Sequence, residues 1–199
     1  MGNKSKSMGL PFFATGVSVV FHPKNPHIPT AHLNVRYFCT HKKNQVFEEW
    51  FGGGFDLTPY ILDKEDCKRW HKGAKDVCGL IDDNFYKVSK KNCDDYFYIP
   101  HRKEHRGIGG IFYEKKKFKQ VDQGLSFSQK VAESFIENYV QIVNKQKLKK
   151  YNKEEKKFQR FRRGRYVEFN LTYDRGTLFG LQSGGRIESI LMSLPNEVE

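Results

Sequence analysis

The chain has 199 residues, of which 38% are hydrophobic, so it is long enough to bury a core as one domain. Its formal net charge of +12 indicates an anionic partner or simply a solvated basic surface. Nucleic acid is the usual partner for such a charge, but many lysines fall in Lys-rich insertions typical of solvated surface, and we expect no nucleic-acid partner. No apolar run approaches the roughly 20 residues of a membrane span. We predict a disordered basic tail at residues 1–9 and one domain at residues 10–199.

The four cysteines show none of the spacings of a metal site, and a chain of this size does not need disulfides. They therefore indicate reduced thiols and a reducing compartment. The first ten residues are basic but lack the apolar segment of a secretory signal. We expect a cytoplasmic protein, with the mitochondrion and the plastid as alternatives.

The N-terminal third of the chain predicts three strands, because it is rich in Phe and Val and is interrupted by proline and polar turns. Three glycines follow at residues 52–54, directly before Asp56. They predict a bend that aims the Asp56 carboxylate into a cleft, or a turn in which it bonds only its own backbone. In order, the elements are a strand at 11–21, a loop at 22–29, a strand at 32–39, a turn at 40–45 and a strand at 46–51.

The rest of the chain alternates helical and strand patterns without the regular β-α-β order of a parallel sheet. Asp63 is a good N-cap, and Gly164 is typical of a residue that ends a helix. These patterns predict an α+β fold with an antiparallel sheet covered by helices. The predicted helices are 63–78, 80–92, 127–143, 151–163 and one from 187, and the predicted strands are 96–100, 108–114 and 165–173.

Residues 30–38 alternate cleanly between polar and apolar side chains. On a strand, this alternation gives one apolar face and one face of His, Asn and Arg. Such a polar face suits the wall of a cleft for an anionic ligand, and it also suits an ordinary antiparallel strand with one wet face. The polar residues are His32, Asn34 and Arg36.

Two recurring residue types indicate further chemistry, while nucleophile elbows, phosphate loops and dinucleotide fingerprints are missing. Arginines at strand ends and turns suit a ligand with several carboxylates, although each one alone fits a surface salt bridge or a bond to backbone better. Histidines from separate segments suit a transition-metal site, or separate packed positions. The arginines are Arg36, Arg106, Arg165, Arg175 and Arg186, and the histidines are His22, His32, His71 and His101.

Four long segments, in order and at compatible distances, resemble the oxygen-dependent coproporphyrinogen III oxidase family. They contain the motifs HPKNPHIPTAHLNVRYF, WFGGGFDLTPY, HRKEHRGIGGIFYE and YDRGTLFGLQSGGRIESILMSLP. The resemblance covers nearly all of the chain outside the Lys-rich insertions. The segments are residues 16–38, 50–60, 93–114 and 162–195.

This resemblance implies a large antiparallel sheet flanked by helices, in a homodimer. It also implies that two propionates of coproporphyrinogen III are oxidatively decarboxylated to vinyl groups, which gives protoporphyrinogen IX in haem biosynthesis. Molecular oxygen is the co-substrate and no organic cofactor is needed, while a divalent metal is kept as an option. Compared with the family, the chain is expected to be truncated at both ends. The alternative is an inactive basic fragment that binds tetrapyrroles or nucleic acid.

The resemblance also assigns roles to single residues. His32 matches the proton donor, and Asp56 matches the carboxylate that works at the pyrrole nitrogens. We also predict a catalytic role for Arg106, which lies in the third segment. The substrate-binding positions are Ser18, Asn34, Val35, Arg36, Gly184, Gly185 and Arg186. The histidines that match metal ligands of bacterial members are His22, His32, His71 and His101.

Overall fold

The computed structural model describes residues 9–199, which form a four-stranded antiparallel sheet, a two-stranded ribbon and surrounding helices. The predicted α+β class is therefore confirmed. The predicted tail lies outside the described residues, except for Gly9. The strands are β1 (Phe12–Phe21), β2 (Thr30–Lys42), β3 (Gln45–Thr58), β4 (Tyr98–Ile99), β5 (Glu104–His105) and β6 (Gly109–Lys116). The helices are α1 (Lys64–Cys78), α2 (Phe85–Tyr96), α3 (Val121–Gln146), α4 (Lys153–Thr172), α5 (Arg175–Gln182) and α6 (Ile187–Leu191).

Strands β1, β2 and β3 form the predicted meander, and β6 completes the sheet in the order β1-β2-β3-β6. The proline-rich loop at 22–29 joins β1 to β2. A two-residue turn joins β2 to β3, where Lys43 and Asn44 have φ values of 51° and 63°. Positive φ at both central residues is what a tight hairpin turn needs to match the twist of its strands.

The two faces of the sheet have different roles, as the alternation in β2 predicts. Leu33 and Val35 pack into the main core with α1 and α3. His32, Asn34 and Arg36 point to the opposite face, where they line a cavity. The prediction that these three residues share a polar face is confirmed.

The register of the ladders brings more residues to this polar face. Residues that pair directly across an antiparallel ladder point to the same side of the sheet. Helices α2, α4 and α5 supply the neighbouring side chains on this side. The pairs on the polar face include Ser18 with Asn34, His32 with Asp56, and Gly54 with Phe112.

The main core fills the space between the apolar face of the sheet and helices α1 and α3. Trp70, Phe55 and Phe135 are at most 2% exposed. Their ring centroids lie 4.9 to 6.2 Å apart. Burying a large apolar side chain contributes about 1.5–3 kcal/mol, so this layer holds the two helices on the sheet. Helix α1 begins at its predicted cap, because the Asp63 carboxylate accepts hydrogen bonds from the backbone N–H groups of Glu65 and Asp66.

The predicted break at Gly164 is wrong, because α4 continues through it to Thr172. The segment 165–173, predicted as a strand, is thus the second half of this helix. Its buried residues recur with helical spacing at Arg163, Tyr166 and Asn170, so one face of the helix packs against the protein. A glycine inside a helix costs about 1 kcal/mol relative to alanine, which this packing outweighs.

The predicted bend at residues 52–54 is also wrong, because β3 continues through its three glycines, with a shift in its register against β6 between Phe51 and Gly53. Asp56 reaches the cavity from a strand position opposite His32 and not from a bend, and its carboxylate bonds His32 and Arg106 instead of its own backbone. Gly54 has φ +145°, and a Cβ there would lie 1.9 Å from the carbonyl oxygen of Ile111. Glycine allows β3 to approach its neighbour this closely.

Besides α4, two other helices differ clearly from their predicted boundaries. The helix predicted at 80–92 is α2, which begins at Phe85 and ends at Tyr96, and α3 extends several residues beyond its predicted range at both ends. Within residues 9–199, no helix is long and apolar enough to cross a membrane. All four cysteines are free thiols.

Candidate active site

Three predicted catalytic residues meet at the centre of the polar face. Oδ2 of Asp56 accepts a hydrogen bond from Nη2 of Arg106 at 2.7 Å, and its Oδ1 lies 2.9 Å from Nδ1 of His32. The register of β2 and β3 places His32 beside Asp56. Arg106 comes from the loop after β5, and its backbone N–H donates to the carbonyl oxygen of Phe97 at 2.9 Å.

Three aromatic rings surround the guanidinium of Arg106. The ring centroids of Phe97, Tyr166 and Phe169 lie 3.9, 4.4 and 5.0 Å from its central carbon. Faces of aromatic rings attract a cation, and more strongly where water is excluded. The two rings from α4 explain why the second half of that helix is buried here.

The ion pair fixes the protonation states of its two members. Burial alone would raise the pKa of the Asp56 carboxyl, but the charge of Arg106 and the hydrogen bond from His32 outweigh it, and the pKa is lowered. Burial likewise disfavours the charge on Arg106, but the neighbouring Asp56 raises its pKa. Both groups therefore stay charged at neutral pH.

An ionised Asp56 determines the tautomer of His32. A carboxylate can only accept a hydrogen bond, so the hydrogen between the two groups must be on Nδ1 of the imidazole. The side chain of His32 is 25% exposed, whereas that of Asp56 is 3% exposed. The imidazole, through Nε2, is therefore the better placed of the two to exchange protons with a ligand.

A cavity of about 430 Å³ opens beside this group on the polar face. Its volume falls in the range of small-molecule sites. The predicted binding residues Ser18, Asn34 and Arg36 line it together with His32 and Asp56. Helices α2 and α5 and strand β6 supply other lining residues, which include Tyr96, Phe97, Phe112, Glu114, Asp174 and Arg175.

Arg36 is held in an extended position over the strand beside it. Its Nη1 donates to Oδ1 of Asn34 at 2.6 Å, and its Nη2 donates to Oε1 of Glu114 at 2.8 Å. Its guanidinium crosses Gly52, where a Cβ would lie 3.1–3.2 Å from the guanidinium atoms. The missing side chain of Gly52 thus leaves room for Arg36 on the wall of the cavity.

Arg175 is a site residue that the sequence analysis grouped with other arginines without assigning it to the site. It begins α5, and its Nη1 donates to Oε2 of Glu114 at 3.1 Å. Its guanidinium stacks over Tyr96 at 4.7 Å. Asp174 caps α5 and also accepts a hydrogen bond from the Tyr96 hydroxyl at 2.8 Å. The Asp-Arg-Gly sequence indicates the start of a helix, but nothing local in it places Arg175 at the cavity.

Four predicted binding residues do not reach the cavity with their side chains. Val35 lies on the opposite face of the sheet, packed against the core. Gly184, Gly185 and Arg186 form the turn between α5 and α6, and the cavity lining does not include them. Arg186 is exposed and pairs with Glu188 at 3.4 Å.

The four histidines predicted as metal ligands lie apart from one another. Within residues 9–199, no group of three or more His, Cys, Asp or Glu side chains is arranged to hold a metal ion. His32 binds Asp56, as described above, and the other three histidines have their own partners. These partners are the carbonyl oxygen of Ser193 for His22, that of Ile108 for His71, and Glu168 for His101. The donor set therefore does not fit a resident metal.

An α+β protein with a buried Asp–Arg pair, an adjacent histidine and two arginines around a small-molecule cavity has the construction of an enzyme for an anionic substrate. A model of the coproporphyrinogen III oxidase family matches residues 1–199, and the chain belongs to that family. The resemblance found in the sequence is thereby confirmed. Membership makes the protein an oxidoreductase of haem biosynthesis, in a family whose substrate is coproporphyrinogen III.

Proposed function

We propose that the protein catalyses the oxygen-dependent oxidative decarboxylation of two propionates of coproporphyrinogen III to vinyl groups, giving protoporphyrinogen IX. One observation carries this proposal. His32 and Arg36 line the same cavity, and His32 is held there by the Asp56–Arg106 pair. The site thus combines a proton-exchanging group with cations suited to carboxylates.

The proposed reaction balances with oxygen as the only oxidant. For each propionate, one C–H bond on the carbon attached to the pyrrole and the bond to the carboxylate carbon break, and a C=C bond forms. Carbon dioxide leaves, and two electrons pass to O₂. With one proton from the broken C–H bond and one from solvent, O₂ becomes hydrogen peroxide.

Binding of the substrate is assigned to the outer part of the cavity. Coproporphyrinogen III carries four propionates, and a guanidinium matches a carboxylate with two parallel N–H donors. The side chains of Arg36 and Arg175 are 30% and 58% exposed, so both are accessible to such a ligand. Each charge-assisted hydrogen bond is worth on the order of 1.5–3 kcal/mol. Ser18 and Asn34 add polar contacts on the same wall.

Proton exchange is assigned to His32. In the proposed mechanism, Asp56 holds the proton on Nδ1 of the imidazole, so Nε2 exchanges a proton with the pyrrole or with the reduced oxygen. Asp56 itself keeps its charge, because both of its oxygens are engaged by Arg106 and His32. Asp56 and Arg106 act here as positioning residues. This assigns to His32 the pyrrole chemistry that the resemblance assigns to Asp56.

The test is an aerobic incubation of purified protein with coproporphyrinogen III. We expect protoporphyrinogen IX, oxidised and measured by its fluorescence, and two molecules of hydrogen peroxide for each product. An anaerobic sample should give no product. His32→Gln should lose activity, while His105→Gln, an exposed histidine away from the cavity, should keep it. Binding of the substrate without any product in air would contradict the proposal and favour a tetrapyrrole-binding protein.

We also propose that the protein works as a homodimer, as the family resemblance implies. Strand β1 lies at an edge of the sheet, and its side chains Phe12, Phe13 and Val17 are 53–67% exposed. Large exposed apolar side chains in one region are typical of an interface, which supports the proposal. Light scattering of the purified protein should give twice the monomer mass, and a monomer at micromolar concentration would contradict it.

A further inference from the structure

A single carboxylate bridges the two arginines of the cavity. Glu114, on β6, accepts from Nη2 of Arg36 at 2.8 Å with one oxygen and from Nη1 of Arg175 at 3.1 Å with the other. Arg36 belongs to the sheet and Arg175 to α5, so residues far apart in sequence converge on one acceptor. Each guanidinium also lies within 6 Å of the ring centre of Phe112.

The position of Glu114 matches the chemistry of the expected ligand. Both cations direct a terminal N–H group at a carboxylate that lines the cavity. A propionate of the substrate is a carboxylate on a two-carbon chain, as is the side chain of glutamate. A ligand that uses these same N–H groups must therefore displace Glu114 or share them with it.

We infer that Glu114 occupies, in the free protein, the binding position of a substrate carboxylate, and that the substrate exchanges with it when it binds. This inference rests on the proposed function, because it takes a polycarboxylate tetrapyrrole as the ligand. Glu114 holds the two guanidiniums on one acceptor and offsets part of their charge before the substrate arrives. Because a ligand must displace Glu114, ligands with several carboxylates bind more favourably than ligands with one.

The energetics allow this exchange. The side chain of Glu114 is 37% exposed, and those of Arg36 and Arg175 are 30% and 58% exposed. Ion pairs at such exposed positions are weak, because water screens them and long side chains lose freedom when they pair. A ligand that brings several carboxylates on one ring gains from all of them at once, so it can replace a single, partly exposed glutamate.

The test compares Glu114→Gln with the original protein. Glutamine keeps the shape but removes the charge that competes with the ligand. We expect coproporphyrin III, the oxidised and unreactive form of the substrate, to bind about threefold to tenfold more tightly by fluorescence quenching. Coproporphyrin tetramethyl ester has no carboxylate and should bind both proteins equally. In turnover assays, KM should change more than kcat.

Glu104 offers a matched control, because it also bridges two arginines. It pairs with Arg162 at 3.0 Å and with Arg165 at 3.2 Å, outside the cavity lining. Glu104→Gln should leave the affinity for coproporphyrin III unchanged. Glu114→Asp keeps the charge on a shorter chain, and it should bind with an affinity between those of the original protein and Glu114→Gln. A thermal melt of each variant shows that it is folded.

Unchanged or weaker binding by folded Glu114→Gln would overturn the inference, and so would equal tightening of the ester. The result of this binding test can be distinguished from the result of the activity test of the proposed function. If the protein makes no vinyl product in air but shows the expected binding pattern, the proposed reaction fails and the exchange stands. If it makes the product but Glu114→Gln binds no more tightly, the exchange fails and the reaction stands.

Discussion

Asp56 and Arg106 form an ion pair that is almost completely withdrawn from water. Their side chains are 3% and 2% exposed, and the two atoms of the bond are 2.7 Å apart. The stacked rings around Arg106 replace the water that the cation has lost. This pair connects the sheet to α4, and it also positions His32. Changes to it therefore affect folding and activity together.

Removing one partner of this pair should destabilise the protein strongly. For Arg106→Met we expect the free energy of unfolding to fall by about 3–5 kcal/mol, because the Asp56 carboxylate stays buried without its counter-charge. The double variant Asp56→Asn/Arg106→Met should lose less than the sum of the single changes. Urea denaturation at pH 7 measures all three. Arg102→Met, at an exposed ion pair, should show no measurable change, and strictly additive losses at Asp56 and Arg106 would contradict the coupling.

His32 should affect turnover far more than folding. Its side chain is partly exposed, and its ring lies at the cavity. If it exchanges the proton, His32→Gln should lower kcat by about 10²–10⁴-fold, which is the usual contribution of a positioned acid or base. The measurement is kcat in the aerobic assay, with His105→Gln as the matched variant. If the kcat of His32→Gln stayed within threefold of that of the original protein, another group would have to exchange the proton.

The stability of the protein should fall as the solution becomes mildly acidic. Burial lowers the pKa of His22, with a further decrease caused by Arg163, and burial also lowers the pKa of His71. The unfolded imidazoles, with pKa near 6.5, take up protons before the folded ones do. Protons therefore favour the unfolded chain, and the stability present above about pH 6.5 is lost as pH falls through the lowered values.

Urea denaturation between pH 7.5 and pH 5 measures this loss. Each histidine contributes a slope of at most about 1.4 kcal/mol per pH unit. His22→Gln and His71→Gln should each flatten the pH profile, whereas His105→Gln, at an exposed position, should leave it unchanged. Equal slopes in all of these proteins would show that other groups control the acid transition.

The sequence alone allowed the strand pattern of the site to be predicted. Alternation in β2 separates the polar residues His32, Asn34 and Arg36 from the core, and this separation depends only on the geometry of a strand. Helix α1 was predictable for an equally local reason, because its N-cap Asp63 directly precedes it in the sequence. The segment 165–173 was predicted as a strand because Val167, Phe169 and Leu171 alternate with more polar residues. Only the packing of Tyr166 and its neighbours around a buried arginine makes it a helix.

The family resemblance, not spacing, brought His32 and Asp56 together before the structure did, and Arg106 was predicted separately as a catalytic residue. They come from three segments, so no local pattern connects them. Glu114 and Arg175 were missed for the same reason, because an ion pair between β6 and α5 leaves no periodic signal in the sequence. Turn chemistry alone also failed at residues 52–54, where glycines serve close strand packing instead of a bend.

Two of these glycines should respond differently to alanine. At Gly52, the atoms nearest to the added methyl group belong to the guanidinium of Arg36, at 3.1–3.2 Å, and this flexible side chain can move aside. Gly52→Ala should therefore change the free energy of unfolding by less than about 1 kcal/mol and raise KM severalfold by displacing Arg36. At Gly54, the φ of +145° and the carbonyl of Ile111 at 1.9 Å leave no such freedom.

We therefore expect Gly54→Ala to destabilise the protein by at least about 2 kcal/mol, since both backbone strain and a backbone clash must be relieved. Urea denaturation and steady-state kinetics on the two variants separate the effects. A Gly52→Ala variant with unchanged KM would show that the position of Arg36 over β3 is not needed for binding. A fully stable Gly54→Ala variant would contradict the close approach of β3 and β6 on which the floor of the cavity depends.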